Sequence, residues 1–180
     1  EATFHFPGGL GDYLKETLNG ATTYADQPFR GVVDFQDRFK VPGKVEWAIN
    51  WTPTRDGFIQ SYCNTVPTPE GGTHEVGFWA AILKGIRAYG ELVNNRKAKD
   101  ISRDDLTSGG CALVSCFISE PEFVGQTKDR LATVEAHRLV ENSVRDHFDN
   151  WLAADTKSAG AILDFLVLRA EERLRRRQEK

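Results

Sequence analysis

The 180-residue sequence has no methionine, three cysteines, seven prolines and no long apolar run. Each shortage excludes something. Without about 18 consecutive apolar residues, no helix is equipped to cross a bilayer. Glu1–Leu10 is charged, aromatic and glycine-rich, so no secretory leader is read there. A chain that opens on Glu1 and contains no methionine is expected to be a segment of a longer polypeptide. Cys63, Cys111 and Cys116 are odd in number and form no Cys-x-x-Cys pair, so buried reduced thiols are expected rather than a disulfide framework. Positive charge is not in excess either. Lys and Arg total 23 against 26 Asp and Glu, a formal net charge of -3. That balance excludes a globally basic nucleic-acid coat and leaves room for a local basic patch.

Core-forming residues are ample: 40% of the chain is hydrophobic, with eleven Phe and four Trp, enough for one packed domain. Phe6-Pro-Gly-Gly reads as a turn. A helix is predicted from Leu10 to Leu18, with Leu10, Leu14 and Leu18 on one face and Asn19-Gly20 as its stop. Val33, Phe35 and Phe39 alternate with polar residues as a first strand. Val45, Trp47, Ile49 and Trp51 share one face of a second, opposite Glu46, Ala48 and Asn50. Pro42-Gly43 reads as the hairpin connection between them, and Gly57–Asn64 as a third strand completing an antiparallel meander.

Thr73 is the expected N-cap of a helix reaching Val93, with Glu75 suited to the positive end of the helix and Phe78, Ile82, Ile86 and Tyr89 as its core stripe. Ser102–Asp105 resembles a capping box. Cys111–Ile118 is apolar on both faces and reads as an interior strand. A loop through Lys128 follows, then a helix capped at Thr133 bearing Val140, Val144, Phe148 and Trp151. The last helix, from Ser158, is apolar around Ile162, Leu163, Phe165, Leu166 and Val167. Its end carries Arg169, Arg173, Arg175, Arg176, Arg177 and Lys180 against Glu171, Glu172 and Glu179, six positive to three negative. Strands, a crossover helix, another strand and terminal helices make an α+β fold, one mainly antiparallel sheet covered by helices on one face. Residues 1–157 form the domain and 158–180 its connecting helix.

No self-contained active site emerges from these patterns. His74-Glu75 opens like a zincin motif, but position 78 is Phe where a second His is required. His137 and His147 do not share a helix face, so no metal cluster is read. Gly-x-Ser-x-Gly is absent. Gly125-Gln-Thr-Lys128 lacks the first glycine and the glycine before Lys that a phosphate-cradling P-loop needs. Gly71-Gly72-Thr73-His74 reads as a loop and N-cap, with no chemistry assigned to His74.

Three blocks taken together carry a resemblance: Gly8-Gly-Leu-Gly-Asp-Tyr-Leu…Leu-Asn19, Thr68-Pro-Glu-Gly-Gly-Thr-His-Glu-Val-Gly-Phe78 and Glu120-Pro-Glu-Phe-Val-Gly-Gln-Thr-Lys-Asp-Arg-Leu131. In this order they resemble the transducer domain of bacterial type IIA topoisomerase B subunits, across essentially the whole chain. Around Trp51–Pro69 the text is more similar to the topoisomerase IV branch than to gyrase.

The resemblance implies a sandwich similar to the second domain of ribosomal protein S5. It also implies ATP as nucleotide, with Gln126 and Lys128 reaching its γ-phosphate and Mg2+ held by residues outside this chain. The implied partners are DNA, a topoisomerase A subunit and a second B subunit in an A2B2 assembly, with no membrane. The implied location is the bacterial cytoplasm, on the nucleoid. The implied role is to relay ATP binding and hydrolysis to a DNA gate for strand passage, decatenation and supercoil relaxation. Arg173, Arg175, Arg176 and Arg177 become candidates to face DNA.

The residue types suit that role. A Lys ammonium is a compact charge on a long stem, a Gln amide donates a second hydrogen bond, and Gly125 lets the backbone bend. A free-standing nucleic-acid-binding module of the same fold would instead bind RNA or DNA alone with steep salt dependence. The net charge of -3 weighs against it. A mismatch-repair-type ATPase fragment would lack the Glu-Gly-Gly-Thr-His block.

Overall fold

The computed structural model describes residues 9–179. The Phe6-Pro-Gly turn expected before the first helix lies outside them. Helix α1 runs Gly9–Leu18 and stops where Asn19 and Gly20 both take positive φ. Strand β1 is Phe29–Gln36, β2 Pro42–Trp51, β3 Phe58–Cys63 and β4 Val66–Pro67. Helix α2, Thr73–Leu92, leads through a short 3-10 helix at Arg96–Asp100 and helix α3, Arg103–Thr107, into β5, Gly110–Phe117. Helices α4, Val134–Ala154, and α5, Thr156–Gln178, complete the α+β order.

The five-stranded sheet has the order β1-β2-β5-β3-β4. The expected meander is therefore wrong at its third member. Strand β5 inserts between β2 and β3, antiparallel to β2 (Trp47 opposite Val114) and parallel to β3 (Ser61 opposite Val114). Parallel neighbours need a crossover, and α2 is the long element of that connection. The central position of β5 explains its two apolar faces, as expected.

The first hairpin also differs. Pro42 and Gly43 pair within the ladder, opposite Gln36 and Phe35, and the turn lies before them. Asp37 builds that turn: its Oδ1 accepts the amides of Phe39 at 2.9 Å and Val41 at 3.1 Å. A short acidic side chain that satisfies backbone donors is the usual chemistry of such corners. Phe39, read as a strand residue, sits exposed on this turn.

The main core lies between one face of the sheet and α2, α4 and α5. Val45, Trp47, Ile49 and Trp51 meet Phe78, Ile82, Ile86, Val140, Val144, Phe148 and Leu166 there. The other face is covered as well, contrary to the expectation of helices on one face. Leu10, Leu14 and Leu18 of α1 pack on Ala48, Cys111 and Leu113. The polar side of β2 accommodates this helix: Glu46 Oε2 accepts the Leu10 amide at 2.9 Å, near the positive end of α1. Asn50, also on that side, closes a two-way hydrogen-bond pair with the backbone of Ala25.

Candidate functional site

The segment after β5 is clamped at its base and open at its tip. Asn64 pairs its side chain with both backbone groups of Ile118. Asp37 Oδ2 accepts from the Ser119 amide at 3.0 Å and hydroxyl at 2.5 Å. These hydrogen bonds, led by the Ser119 hydroxyl, lower the Asp37 carboxyl to about 2. The Glu122 amide donates to Thr133 Oγ1 at 2.8 Å, and the Ala132 amide returns to the Glu122 carbonyl at 2.7 Å. Thr133 occupies the N-cap position of α4, as the sequence suggested, but its hydroxyl ties down the loop and makes no capping bond to the helix. The Val124 amide donates to the Arg130 carbonyl, closing the neck.

Beyond that neck, Gln126, Thr127 and Lys128 are all exposed. Gly125 supplies a left-handed bend with φ 72°. Among the described residues, no hydrogen bond or ion pair binds the Lys128 ammonium to the rest of the chain.

The second motif block is the floor of this loop. The Glu70 amide donates to the Asp129 carbonyl at 2.9 Å, the Leu131 amide to the Gly71 carbonyl at 3.0 Å, and the Thr73 amide to the Leu131 carbonyl at 3.1 Å. Two separated stretches of sequence thus meet as a miniature ladder. Its geometry dictates the glycines. Gly71 and Gly72 have φ 77° and 141°. A Cβ on Gly72 would fall 2.6 Å from the Leu131 nitrogen and nearer still to its carbonyl oxygen. Gly72, not Thr73, occupies the N-cap position of α2. The Thr73 hydroxyl instead donates to the Thr133 carbonyl at 2.6 Å.

Beneath the floor lies a buried polar cluster. Ser61 Oγ donates to Glu75 Oε2 at 2.5 Å and lies 2.6 Å from Thr68 Oγ1, which is 3.1 Å from His74 Nε2. His74 is 0% exposed, and its Nδ1 has no partner among the described residues. Burial pushes the imidazole down to about 4, so it is neutral at pH 7. Burial also raises Glu75, opposed by the Ser61 hydrogen bond and by the charges of Arg103 and Arg130. Sequence reading gave Glu75 only a helix-end role and missed Ser61 and Thr68. The one available signal was a glutamate on the same helical turn as an unexplained histidine.

The four candidate arginines near the end of the last helix do not share one environment. Arg175, Arg176 and Arg177 are exposed. Arg173 is bound to the protein: its guanidinium meets both oxygens of the buried Asp105 (Nε–Oδ1 3.1 Å) and donates to the Asp100 carbonyl at 2.7 Å. Asp105 also accepts the Ser102 amide, as the capping box predicted.

A family model described as DNA gyrase B matches residues 9–180. Among individual relatives, the DNA topoisomerase 4 B subunit of Caulobacter vibrioides is 53% identical over the whole chain, which spans 26% of that protein's length. The same-named protein of Bartonella bacilliformis is 48% identical over 98% of the chain and 25% of its own length. The DNA gyrase B subunit of Mycolicibacterium smegmatis is 33% identical over 98% of the chain and 26% of its own length. Among solved structures, the topoisomerase IV ATP-binding domain of Francisella tularensis superposes with a TM-score of 0.76 at 28% identity, covering 95% of this chain and 45% of that one. The 43K ATPase domain of Thermus thermophilus gyrase B gives 0.77 at 25%, covering 96% and 46%. The chain thus spans about a quarter of the length of the sequence relatives it matches.

Proposed function

This chain belongs to the DNA gyrase B family, nearer in identity to the topoisomerase 4 proteins above than to the gyrase one, and on that premise we propose that it is the nucleotide-sensing transducer of a type II DNA topoisomerase. Gln126 and Lys128 contact the γ-phosphate of ATP held mainly by a preceding domain. The observation that carries the reading is the loop itself: an exposed Gln-Thr-Lys tip on a base stitched to a neighbouring block. A tip built this way presents an exposed cation on a hydrogen-bonded base, which supports a role in reaching a neighbouring site.

ATP supplies a transferable γ-phosphoryl group, and magnesium is held by residues outside this chain. The part played by this chain is electrostatic. The Lys128 ammonium neutralises phosphate oxygens as a point charge, and the Gln126 amide donates a hydrogen bond beside it. Both contacts exist only while the γ-phosphate is present, so they distinguish the ATP state from the ADP state. Shifting a two-state equilibrium from 1:99 to 99:1 takes about 5.5 kcal/mol of differential binding. A charge-assisted contact contributes about 1.5–3 kcal/mol. Lys128 therefore shares the task with other contacts, among them closure of two B subunits.

In the whole enzyme the transducer relays the nucleotide state toward the DNA gate formed with the A subunit, in an A2B2 assembly acting on DNA in the bacterial cytoplasm. Residues 158–180 serve as the connector from the domain of residues 1–157. The exposed Arg175, Arg176 and Arg177 face duplex phosphates, with Arg173 anchoring that end of the helix. Lys128→Ala in the full-length protein should cut ATP turnover severely, measured by phosphate release. Turnover near that of the parent would remove Lys128 from the site. The isolated chain should not hydrolyse ATP at all.

A further inference from the structure

The Gln126–Lys128 tip is set by backbone bonds from Leu131 and Asp129 to Glu70–Thr73. Half of that partner segment is glycine: Gly71 and Gly72, both at positive φ, have no side chain to brace the backbone. Something beneath must fix it. The Glu75 carboxyl lies directly under Gly71: a Cβ there would fall 2.8 Å from Oε1 and 2.9 Å from Cδ.

We propose that Glu75 is a positioning residue for Lys128, acting through a buried strut of Ser61, Thr68 and His74 that pins Gly71–Thr73 against Leu131. The functional part of this proposal rests on the γ-phosphate role of Lys128.

Three features support it. The strut joins three otherwise separate elements: Ser61 on β3, Thr68 in the link before α2, and His74 and Glu75 in its first turn. Its protons run in one direction. Ser61 has a single hydroxyl proton and two acceptors in reach, the Thr68 carbonyl at 3.2 Å and the nearer Glu75 carboxylate; with the proton on the shorter contact, the Thr68 hydroxyl donates to Ser61 and His74 Nε2–H to Thr68. That assignment leaves His74 Nδ1 as a bare acceptor, consistent with its lack of a partner. The backbone repeats the same path, from the Thr68 amide to the Ser61 carbonyl and from the Gly71 amide to the Thr68 carbonyl, both 2.8 Å.

A carboxylate only 9% exposed is expensive unless it is hydrogen-bonded and paired. An exposed acid would serve a helix N-terminus as well. The buried one also attracts Arg130, which lies between Lys128 and Leu131.

The test uses the full-length protein carrying Glu75→Gln, which keeps the shape and an acceptor but removes the charge, and separately Ser61→Ala. Hydrogen exchange is followed in peptides covering 68–75, 122–132 and, as control, β5. Both variants should speed exchange at the Thr73 and Leu131 amides about tenfold or more and leave β5 unchanged. Both should lower kcat/KM for ATP at least fivefold. Added to Lys128→Ala, Glu75→Gln should cause little further loss. Unchanged exchange in both variants, equal acceleration in β5, or a multiplicative loss in the double variant would overturn the proposal. If exchange at Thr73 and Leu131 accelerates but Lys128→Ala turns over normally, the strut stands and the γ-phosphate reading alone fails.

Discussion

At Gly72 the backbone has φ 141° and no space for a methyl group; at Gly125 it has φ 72° and open space around it. The two glycines should therefore respond differently. Gly72→Ala combines strain with a collision against Leu131 and should destabilise by about 1–3 kcal/mol or more. Gly125→Ala meets only the left-handed penalty, of about 1–2 kcal/mol. Urea unfolding of both variants checks the order, and equal losses would contradict the ladder at Leu131.

His74 makes a second prediction at this scale. Its ordinary value near 6.5 falls to about 4 in the fold. The unfolded chain therefore takes up a proton below pH 6.5 that the folded chain refuses until about pH 4. Stability should drain away across that window as pH falls, by up to about 3 kcal/mol. Glu75 works in the opposite sense, because a raised carboxyl binds its proton more tightly when folded. Unfolding free energies of the parent and His74→Gln between pH 7 and 4 separate the two, and the variant should show the weaker acid loss. Parallel curves would place the titration elsewhere. Neither His74 nor Glu75 was legible in the sequence as part of a cluster. Their partners, Ser61 and Thr68, lie on another strand and a link, where a single serine or threonine carries no periodic signal. Lys128 became a candidate only because three blocks occurred together, since Gln-Thr-Lys alone is an ordinary polar turn.

At the level of elements, residue patterns identified most of the helices and strands and misjudged how the strands meet. The alternation in β2 and the all-apolar run in β5 were readable because burial acts on side chains two residues apart. Strand order was not readable, because alternation is blind to which neighbour pairs. Nothing in Gly57–Asn64 distinguishes pairing with β2 from pairing with β5, and the crossover through α2 decides it. The turn was misplaced because Pro42-Gly43 is a strong local signal, while Asp37, which organises the corner, also had to bind Ser119 from a distant segment. The polar face of β2 looked solvent-facing until α1 covered it.

The last helix carries a prediction of its own. Arg173 is its anchor, through Asp105 and the Asp100 carbonyl. Arg173→Ala leaves the buried Asp105 with only its capping contacts and should lower stability by about 1–3 kcal/mol. It should also accelerate hydrogen exchange at Leu174–Gln178 more than at Ile162–Val167. A uniform change along the helix would argue against a local anchor.

Across the whole molecule, α2 spans the distance between the Lys128 loop and the 3-10 helix whose Asp100 carbonyl holds Arg173. Its first turn belongs to the strut beneath the Lys128 loop. Its last turns lie against the 3-10 helix and α5, where Gly90 approaches Ala98 and Leu163. At 20 residues it is about 30 Å long. The central claim remains that Lys128 reads the γ-phosphate, and nucleotide affinity tests it most directly. In the full-length protein, the dissociation constants of ADP and a non-hydrolysable ATP analogue would be compared for the parent and Lys128→Ala. A lost charge-assisted contact of about 1.5–3 kcal/mol should weaken the analogue roughly 10- to 100-fold and leave ADP unchanged. Equal weakening of both nucleotides, or of neither, would contradict the account.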